Sequence, residues 1–216
     1  MTCPLCFKKE DLSPVQGPDK REYCCCNHCK LVFVADPDLP SPAEEKSRYL
    51  KHENTIANEG YVEFLSRAIK VAEPYLGKGI LILDYGCGPN PVLSQILDRR
   101  GFPVVNYDPY FFPAMQEAKY DMIFAIEVLE HFFRPAIEIK KIHSLLNDGG
   151  YFIIMTQQWE NLSSFSNWSY ARDFTHTRFY HAKSFAYIAK HFGFDLRETN
   201  SPGVIVLQKS IEISAS

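Results

Sequence analysis

The sequence predicts an α/β fold with a mostly parallel sheet, an antiparallel hairpin near the C-terminus and a small cysteine-rich module at the N-terminus. Three observations support this prediction. Short apolar runs alternate with segments of helical periodicity between residues 60 and 192, as in chains built from βαβ units. Two strand-like runs then flank residues 200–203, which have the composition of a turn. Finally, six of the seven cysteines lie within the first 29 residues.

Length and composition are those of an ordinary globular chain. Its 216 residues are 46% hydrophobic and 23% charged, which disfavours intrinsic disorder. The formal net charge of −3 disfavours a broad basic surface for nucleic acid. No apolar run reaches the roughly 18 residues of a membrane span, and residues 1–30 lack the apolar core of a signal peptide. We therefore expect a reduced, cytoplasmic protein that does not enter a membrane.

Two C-x2-C pairs predict a zinc site in the N-terminal module. The four ligands would be Cys3, Cys6, Cys26 and Cys29. Their spacing falls within the range of zinc ribbons, in which two tight turns complete a tetrahedral thiolate site. Four protein ligands leave no position for water, so we expect a structural Zn²⁺ ion. Cys24, Cys25 and His28 are spare and leave other ligand sets open, and reduced thiols without a metal are the alternative.

A proline-rich segment separates this module from the rest of the chain. Residues 36–42 contain three prolines, which favours an extended linker. We therefore expect a zinc ribbon over residues 1–35, a linker over 36–43 and a larger domain over 44–212.

The helices of the larger domain are predicted from apolar periodicity and from the glycines and prolines that bound them. The pattern is clearest over residues 60–73, where apolar side chains recur at i, i+3 and i+4, and weakest over the charged segment 43–57. Helices are expected over residues 43–57, 60–73, 91–100, 135–146 and 183–192.

Strands are predicted where short apolar runs end at glycine, proline or acidic residues. They are expected over residues 80–83, 104–107, 122–126, 151–155, 194–199 and 204–208. Helices separate the first four strands, which favours parallel pairing, whereas the last two form the hairpin.

The turn after the first of these strands carries the most information about function. The strand ends at Asp84, and Gly86 and Gly88 follow before a helix begins. Glycines at such a turn let the backbone approach a ligand closely. Asp108 ends the next strand, where a carboxylate can accept hydrogen bonds from ribose hydroxyls. An acid before the glycines distinguishes this turn from the dinucleotide-binding fingerprint, whose glycines follow the strand directly.

These motifs resemble those of class I S-adenosylmethionine-dependent methyltransferases over roughly residues 45–210. Asp84, Gly86 and Gly88 match the family's D-x-G-x-G motif, and Asp108 matches its second motif. Residues 120–131 and 145–154 are similar to its fourth strand with the following segment and to the glycine turn into its fifth strand. The resemblance implies a Rossmann-like sheet and S-adenosylmethionine as the cofactor.

The resemblance also implies the residues of the cofactor site. These are Asp84, Gly86, Gly88, Asp108, Glu127 and Val128. Asp108 would hold the ribose hydroxyls, and Asp84 would receive the cofactor's ammonium group directly or through water. A structural role for Asp84 in holding the turn is the alternative.

One part of the family pattern is missing. Only residues 109–120 separate Asp108 from Asp121, too few for the usual helix and third strand. We therefore expect the third strand to be absent, together with the loop that usually contacts adenine. Tyr107, Pro109, Tyr110 or Phe111 would then offer a stacking surface.

Methyl transfer mainly requires alignment of the nucleophile with the methyl group, and three groups of residues are candidates to assist it. The first is Glu127, Glu130 and His131, which would share one face of a helix. Their E-x-x-E-H pattern resembles quinone-biosynthesis O-methyltransferases, and this implies a divalent metal that holds a catechol. A helix start, where Glu is favoured by the dipole, is the alternative.

The second group lies in the segment between the fifth-strand region and the last helix. Its W-x-Y-x-x-D-x-T-H pattern, residues 168–176, resembles a bacterial group of zinc-knuckle methyltransferases whose substrates are undefined. We expect His176 to act as the base, with Asp173 or Tyr170 orienting it or the substrate. The alternative is that His176 and Asp173 only tie the loop down.

The third group is Arg48, Tyr49 and His52 on the first helix, which would cover the cofactor or pack on the sheet. Taken together, the motifs predict an S-adenosylmethionine-dependent methyltransferase that acts on a small molecule, at oxygen. One alternative is an RNA base methyltransferase whose locally basic ribbon holds RNA, because the CPLC start also resembles a ribosomal guanine N-methyltransferase group. The other is a non-catalytic adaptor that binds the cofactor.

Overall fold

The computed structural model describes residues 1–51, 54–197 and 201–211. His52, a candidate above, lies outside the described residues. In chain order the strands are β1 (Leu12–Val15), β2 (Tyr23–Cys26), β3 (Val32–Val34), β4 (Ile82–Tyr85), β5 (Val104–Tyr107), β6 (Tyr120–Ile126), β7 (Leu146–Met155), β8 (Arg178–Phe179), β9 (Phe194–Arg197) and β10 (Val204–Lys209). The α-helices are α1 (Pro42–Tyr49), α2 (Glu59–Ala72), α3 (Val92–Arg99), α4 (Pro135–Leu145) and α5 (Ala182–Phe192).

The central sheet is mixed, as predicted. Its strand order is β5-β4-β6-β7-β10-β9. The first four of these strands run parallel, and β10 pairs antiparallel with both β7 and β9. Apolar side chains of α2 and α3 pack on one face of the sheet, and those of α4 and α5 pack on the other. The architecture is that of a Rossmann-like class I methyltransferase fold.

The expected loss of the third strand is confirmed. β5 is an outer strand of the sheet, and residues 108–119, all of them described, form no further strand. They contain one isolated antiparallel bridge, between Asp108 and Phe112. The carboxyl end of β5 is consequently followed by a short turn, which folds back on itself.

Local sequence explains where the helices begin and end. Ser41 accepts a hydrogen bond from the amide of Glu44, whose carboxylate accepts one from the amide of Ser41, so α1 starts with a capping box. α1 ends at Tyr49, and the expectation of a helix as far as residue 57 is wrong, because its weak apolar periodicity gave little to bury. α5 ends at Gly193, whose φ of 75° is the left-handed conformation of a C-cap.

The cysteine-rich module is joined to the larger domain by strand pairing. β3 pairs with β8 in antiparallel register, Val32 opposite Phe179 and Phe33 opposite Arg178. The order β1-β2-β3-β8 therefore combines three N-terminal strands with one from far along the chain. Cys29 and Leu31 also share an apolar core with Tyr180 and Phe185. In the described part of the chain, no helix is long and apolar enough to cross a membrane.

Candidate functional site

A cleft of about 720 Å³ opens at the carboxyl ends of β4, β5 and β6, the position at which open α/β sheets bind ligands. It is lined by the turns after these strands, by α1 and by the segment 170–176. Nine residues of the predicted cofactor site and of the first two candidate groups line it: Gly86, Gly88, Asp108, Glu127, Val128, His131, Tyr170, Asp173 and His176. Arg48 and Tyr49 of the third group line it as well.

The two glycines of the turn serve different purposes. Gly86 has φ of 82° and Gly88 has φ of 67°, a conformation that is strained for other residues. A Cβ on Gly86 would lie 2.6 Å from Cγ2 of Val128, whereas a Cβ on Gly88 would meet nothing within 4 Å. Gly86 therefore permits close packing of the turn against Val128, and Gly88 leaves its backbone exposed to the cleft.

Asp108 connects the turn after β4 to the turn after β5. Its Oδ2 accepts a hydrogen bond from the amide of Gly88 at 3.1 Å, and its Oδ1 accepts from the amides of Tyr110 at 2.8 Å and Phe111 at 3.1 Å. A carboxylate has about four acceptor positions, so three backbone bonds leave capacity for a ligand hydroxyl.

Asp84 does not line the main cleft. It is 5% exposed and borders a small void together with Gly86 and Cys87. Burial raises the pKa of Asp84 to about 7, the nearby charge of Asp108 adds to this shift, and a hydrogen bond from Ser94 opposes it. A cationic ligand group near this carboxyl would stabilise its ionised form.

Glu127 occupies a strained position at the end of β6. Its φ of 53° is unusual for a residue other than glycine, and its amide donates to the carbonyl of Met155 at 2.7 Å. Burial raises the pKa of Glu127 to about 7, opposed by a hydrogen bond from Tyr170 and by the charge of Arg67. The left-handed turn brings the side chain of the following residue, Val128, against Gly86.

The expected helix face for Glu127, Glu130 and His131 is wrong. The chain after Glu127 forms a 3₁₀ turn over Leu129–His131, and α4 begins only at Pro135. Because the left-handed conformation of Glu127 interrupts the backbone, Glu127 does not share a helix face with the other two.

His176 is held by a backbone carbonyl. Its Nδ1 lies 2.7 Å from the carbonyl oxygen of Tyr170. A carbonyl only accepts, so Nδ1 carries the hydrogen and Nε2 carries the lone pair. Burial lowers the pKa of His176, opposed by the charge of Asp173. His176 is therefore neutral near pH 7, as a proton acceptor must be.

Asp173 fixes the segment around His176. Its Oδ1 accepts hydrogen bonds from the amide and the hydroxyl of Thr175, and its Oδ2 is 2.7 Å from Nη2 of Arg48. Burial alone would raise the pKa of Asp173, but the bonds from Thr175, the charge of His176 and the bond from Arg48 lower it to about 2. Asp173 thus joins α1 to the loop, while the carbonyl of Tyr170 orients the imidazole of His176.

Tyr170 is a buried residue whose hydroxyl is affected by the charges of Glu127 and Glu130. It is 7% exposed, and its hydroxyl is 3.1 Å from the hydroxyl of Thr156. Burial raises the pKa of Tyr170 far above its usual range, and the charges of Glu130 and Glu127 add to the shift. Its hydroxyl therefore stays protonated, and it donates to the hydroxyl of Thr156, which gives its own hydrogen to Glu130.

Sequence reasoning missed residues that shape this site from outside the motifs. Glu45 of α1 is buried and accepts hydrogen bonds from the hydroxyls of Tyr49 and Tyr110, so α1 lies across the cleft. Arg21 of the cysteine module donates to carbonyls of the segment that carries His176. An acid within a short amphipathic helix was the only available signal for Glu45, and no local pattern singled out Arg21.

The four cysteines of the N-terminal module have the geometry of a metal site. Their sulfur atoms lie within 4.8 Å of one another, with Cys3 Sγ 3.5 Å from Cys29 Sγ and Cys6 Sγ 3.5 Å from Cys26 Sγ. Zn–S bonds of about 2.3 Å in a tetrahedron place sulfurs about 3.8 Å apart, so this set fits zinc. Cys24 and Cys25 lie outside this cluster.

A second group of potential ligands has two members that line the cleft and one that is completely buried. It consists of Glu130, His131 and His176. In the described part of the chain Glu127 is not a member of it, so the third member comes from the segment 170–176 instead.

Comparison with known proteins identifies relatives by fold. A sequence model described as a methyltransferase domain matches residues 55–199. A search of curated proteins gave no significant match. The chain is similar in structure to 1,6-didemethyltoxoflavin-N1-methyltransferase from Burkholderia thailandensis, with 15% identity, 85% of this chain and 97% of that chain covered, and a TM-score of 0.53. Magnesium protoporphyrin IX methyltransferase from Synechocystis has 15% identity, coverage of 78% and 90%, and a TM-score of 0.49.

Proposed function

Because the chain belongs to the methyltransferase domain family, whose pattern spans residues 55–199, we propose that it transfers the methyl group of S-adenosylmethionine to an oxygen of a small-molecule acceptor. The observation that carries this proposal is the convergence of nine predicted residues on one cleft. The Burkholderia enzyme of similar fold holds S-adenosylhomocysteine and a small molecule, 1,6-didemethyltoxoflavin, which supports the cofactor and the size class of the acceptor. That enzyme is an N1-methyltransferase, so the choice of oxygen rests on the residues of this chain alone.

The cofactor would lie along the turns after β4, β5 and β6. Gly88 has open space beside its Cα, which suits close approach by a ligand. Asp108 retains an acceptor position for the ribose hydroxyls. The cofactor's ammonium group would interact with the ionised carboxylate of Asp84, directly or through water. With no third-strand loop, the ring of Tyr110, which lines the cleft, would offer the adenine a stacking surface.

The acceptor would lie between the cofactor and the segment 170–176. The cleft volume of about 720 Å³ is within the range for small ligands. Aromatic side chains from several elements form its walls, among them Tyr49, Phe132 and Phe133, which favours a flat molecule. In transfer to oxygen the O–C bond forms as the C–S bond breaks, and Nε2 of His176 would accept the hydroxyl proton. Asp173 and Tyr170 would keep this ring in place.

We also propose that the four-cysteine cluster binds Zn²⁺ as a structural ion. All four positions of a tetrahedral ion are then filled by protein. The pairing of β3 with β8 attaches this site to the loop that carries His176. The zinc module would thus support the active site without contacting the acceptor.

The RNA alternative is less favoured by the surface of this module. Five basic residues make the module locally basic: Lys8, Lys9, Lys20, Arg21 and Lys30. The guanidinium of Arg21 is 2.9 Å from Asp19 and also donates to backbone carbonyls, so it is not available to phosphate. No observation specific to this structure favours the non-catalytic adaptor.

Calorimetry with S-adenosylhomocysteine tests the cofactor site. Wild-type protein should bind one equivalent, and Asp108→Ala should weaken binding by about tenfold or more, since hydrogen bonds to a charged group contribute about 1.5–3 kcal/mol. Asp98→Ala, an exposed acid on α3, is the matched control. Absence of binding by the wild-type protein would refute the proposed function. Methylation of a panel of phenols and other hydroxyl compounds would then identify the acceptor class.

A further inference from the structure

Three side chains near the acceptor end of the cleft form a ligand set, and the proposed reaction assigns a role only to His176. Glu130, His131 and His176 each present one ligand atom, and these atoms lie within 4.8 Å of one another. In addition, Nε2 of His131 lies 4.0 Å from Oε1 of Glu130. The group joins the 3₁₀ turn after β6 to the segment 170–176, so it is formed by tertiary structure and not by one motif.

Both histidines have the tautomer that a metal ligand requires. Nδ1 of His131 lies 3.0 Å from the carbonyl oxygen of Thr175, and Nδ1 of His176 lies 2.7 Å from that of Tyr170. In each ring the hydrogen is therefore on Nδ1 and the lone pair on Nε2. Metal-binding histidines characteristically donate their other nitrogen to a carbonyl or carboxylate, which fixes the ring.

The environment of Glu130 independently favours a cation at this position. Its side chain is completely buried. Oε2 accepts a hydrogen bond from the hydroxyl of Thr156 at 3.0 Å, whereas Oε1 has no hydrogen-bond partner among the described residues. A buried carboxylate oxygen without a partner is costly. A cation between Oε1 and the imidazoles would remove this cost.

We propose that Glu130, His131 and His176 bind a divalent transition-metal ion such as Mn²⁺, Fe²⁺ or Zn²⁺ at the acceptor end of the cleft. Two imidazoles and one carboxylate are a ligand set for such ions. Ideal metal–ligand bonds of about 2.1 Å place adjacent ligand atoms about 3.0–3.4 Å apart, so the side chains would close around the ion by about 1 Å. Three protein ligands leave further positions open to the cleft.

The role of this ion rests on the proposed methyltransferase function, although its binding does not. An acceptor hydroxyl bound at an open position becomes more acidic and loses its proton to solvent. Its oxygen then forms the new O–C bond, the C–S bond breaks, and the sulfonium becomes a neutral thioether. In the metal-bound protein Nε2 of His176 would be a ligand, so solvent and not His176 would take the hydroxyl proton.

The experiment measures metal binding by the full-length protein, with Mn²⁺ as the probe because thiolate sites bind this ion poorly. Calorimetry should detect one Mn²⁺ per chain, and Glu130→Gln and His176→Gln should each weaken binding by about tenfold or more. His191→Gln, an exposed histidine on α5, should leave it unchanged. Cys26→Ser, measured at a temperature at which this variant is still folded, should also leave it unchanged. S-adenosylhomocysteine binding by His176→Gln at wild-type affinity shows that this variant is folded.

The outcomes separate this proposal from the proposed function. Lack of Mn²⁺ binding by the wild-type protein overturns the metal site, and so does binding that is lost only in Cys26→Ser or that survives in both Glu130→Gln and His176→Gln. Each of these results is compatible with normal binding of S-adenosylhomocysteine. Conversely, Mn²⁺ binding that depends on Glu130 and His176 supports the metal site even in a protein that fails to bind S-adenosylhomocysteine.

Discussion

Arg21 donates a hydrogen bond from Nη1 to the backbone carbonyl of His176 at 2.9 Å. The same guanidinium donates to the carbonyls of Phe174 at 3.0 Å and Ala171 at 2.7 Å, and Asp19 holds it by an ion pair at 2.9 Å. One side chain of the cysteine module thus fixes several turns of the segment that lines the cleft.

Replacement of Arg21 should loosen that segment. Arg21→Gln removes the guanidinium group and leaves partly buried carbonyls without hydrogen-bond donors. The free energy of unfolding should therefore fall by about 2–3 kcal/mol. Amide hydrogen exchange over residues 170–176 should rise more than exchange over β4 to β7. Arg21→Lys is the control that keeps the charge but loses the planar guanidinium group. Its stability and its hydrogen exchange should lie between those of the wild type and Arg21→Gln. Unchanged exchange in Arg21→Gln would contradict this role.

Gly86 and Gly88 should respond differently to alanine. In Gly86→Ala the new Cβ would lie 2.6 Å from Val128, so we expect a loss of about 2–3 kcal/mol in unfolding free energy. In Gly88→Ala the Cβ meets no protein atom within 4 Å, so only the strain of positive φ, about 1 kcal/mol, remains. That Cβ enters the cleft, and S-adenosylhomocysteine affinity should fall even though the fold is nearly intact.

The two glycine substitutions can be checked with a second substitution at Val128. Adding Val128→Ala to Gly86→Ala makes room for the Cβ and should restore part of the lost stability, whereas Val128→Ala should not help Gly88→Ala. Urea denaturation gives the stabilities and calorimetry the affinities. Equal destabilisation by the two alanine substitutions would show that the contact with Val128 is unimportant.

Asp84 should make stability depend on pH. Its pKa is about 7 in the folded protein against an ordinary value of 3.8, so the folded state binds the proton more tightly than the unfolded state. The stability contributed by this group is complete below about pH 4 and is lost as pH rises through 7. Asp84→Asn cannot ionise, so its stability relative to wild type should rise between pH 5 and pH 8, by an amount on the order of 3 kcal/mol at most.

Denaturation of the wild-type protein and of Asp84→Asn across this pH range measures the effect. The pH dependence that the other titratable groups contribute is common to both proteins and cancels in the difference. Asp108, Tyr61 and Cys87 are the titratable groups whose charges couple to Asp84. A stability difference that does not change with pH would contradict the shifted pKa. Asp84→Asn should also bind S-adenosylhomocysteine less tightly, if the carboxyl receives the ammonium group.

Metal removal from the cysteine cluster should affect more than the N-terminal module. Cys29 and Leu31 lie in the same apolar core as Tyr180 and Phe185, so zinc loss should lower the melting temperature of the whole protein. Cys26→Ser should reproduce the effect of a strong chelator, and Cys87→Ser, outside the cluster, should not. A cooperative transition that is unchanged by chelation would contradict the proposed zinc site.

The sequence was sufficient for features that depend on neighbouring residues. The glycine turn after Asp84, the hairpin of β9 and β10 and the position of Asp108 follow from local composition. Even the missing strand could be predicted, because residues 109–120 are too few to contain it.

Other features depend on contacts between distant parts of the chain. The two residues of β8 carry no strand pattern, and only the edge of β3 makes them a strand. The left-handed conformation of Glu127 accompanies the packing of Val128 on Gly86, and it interrupts the helix that the E-x-x-E-H pattern favoured. Similarly, no periodicity could indicate that Arg21 reaches His176.

The pairing of β3 with β8 has a consequence for synthesis of the chain on the ribosome. The N-terminal module emerges first, yet its sheet remains open at β3 until residues 178–179 have been made. During that interval β3, whose three residues are all buried in the finished protein, is an exposed apolar strand edge of the kind that promotes aggregation. Contacts so distant in sequence also slow folding. Early capture of zinc by the nascent chain would hold β2 and β3 in place until their last partner arrives.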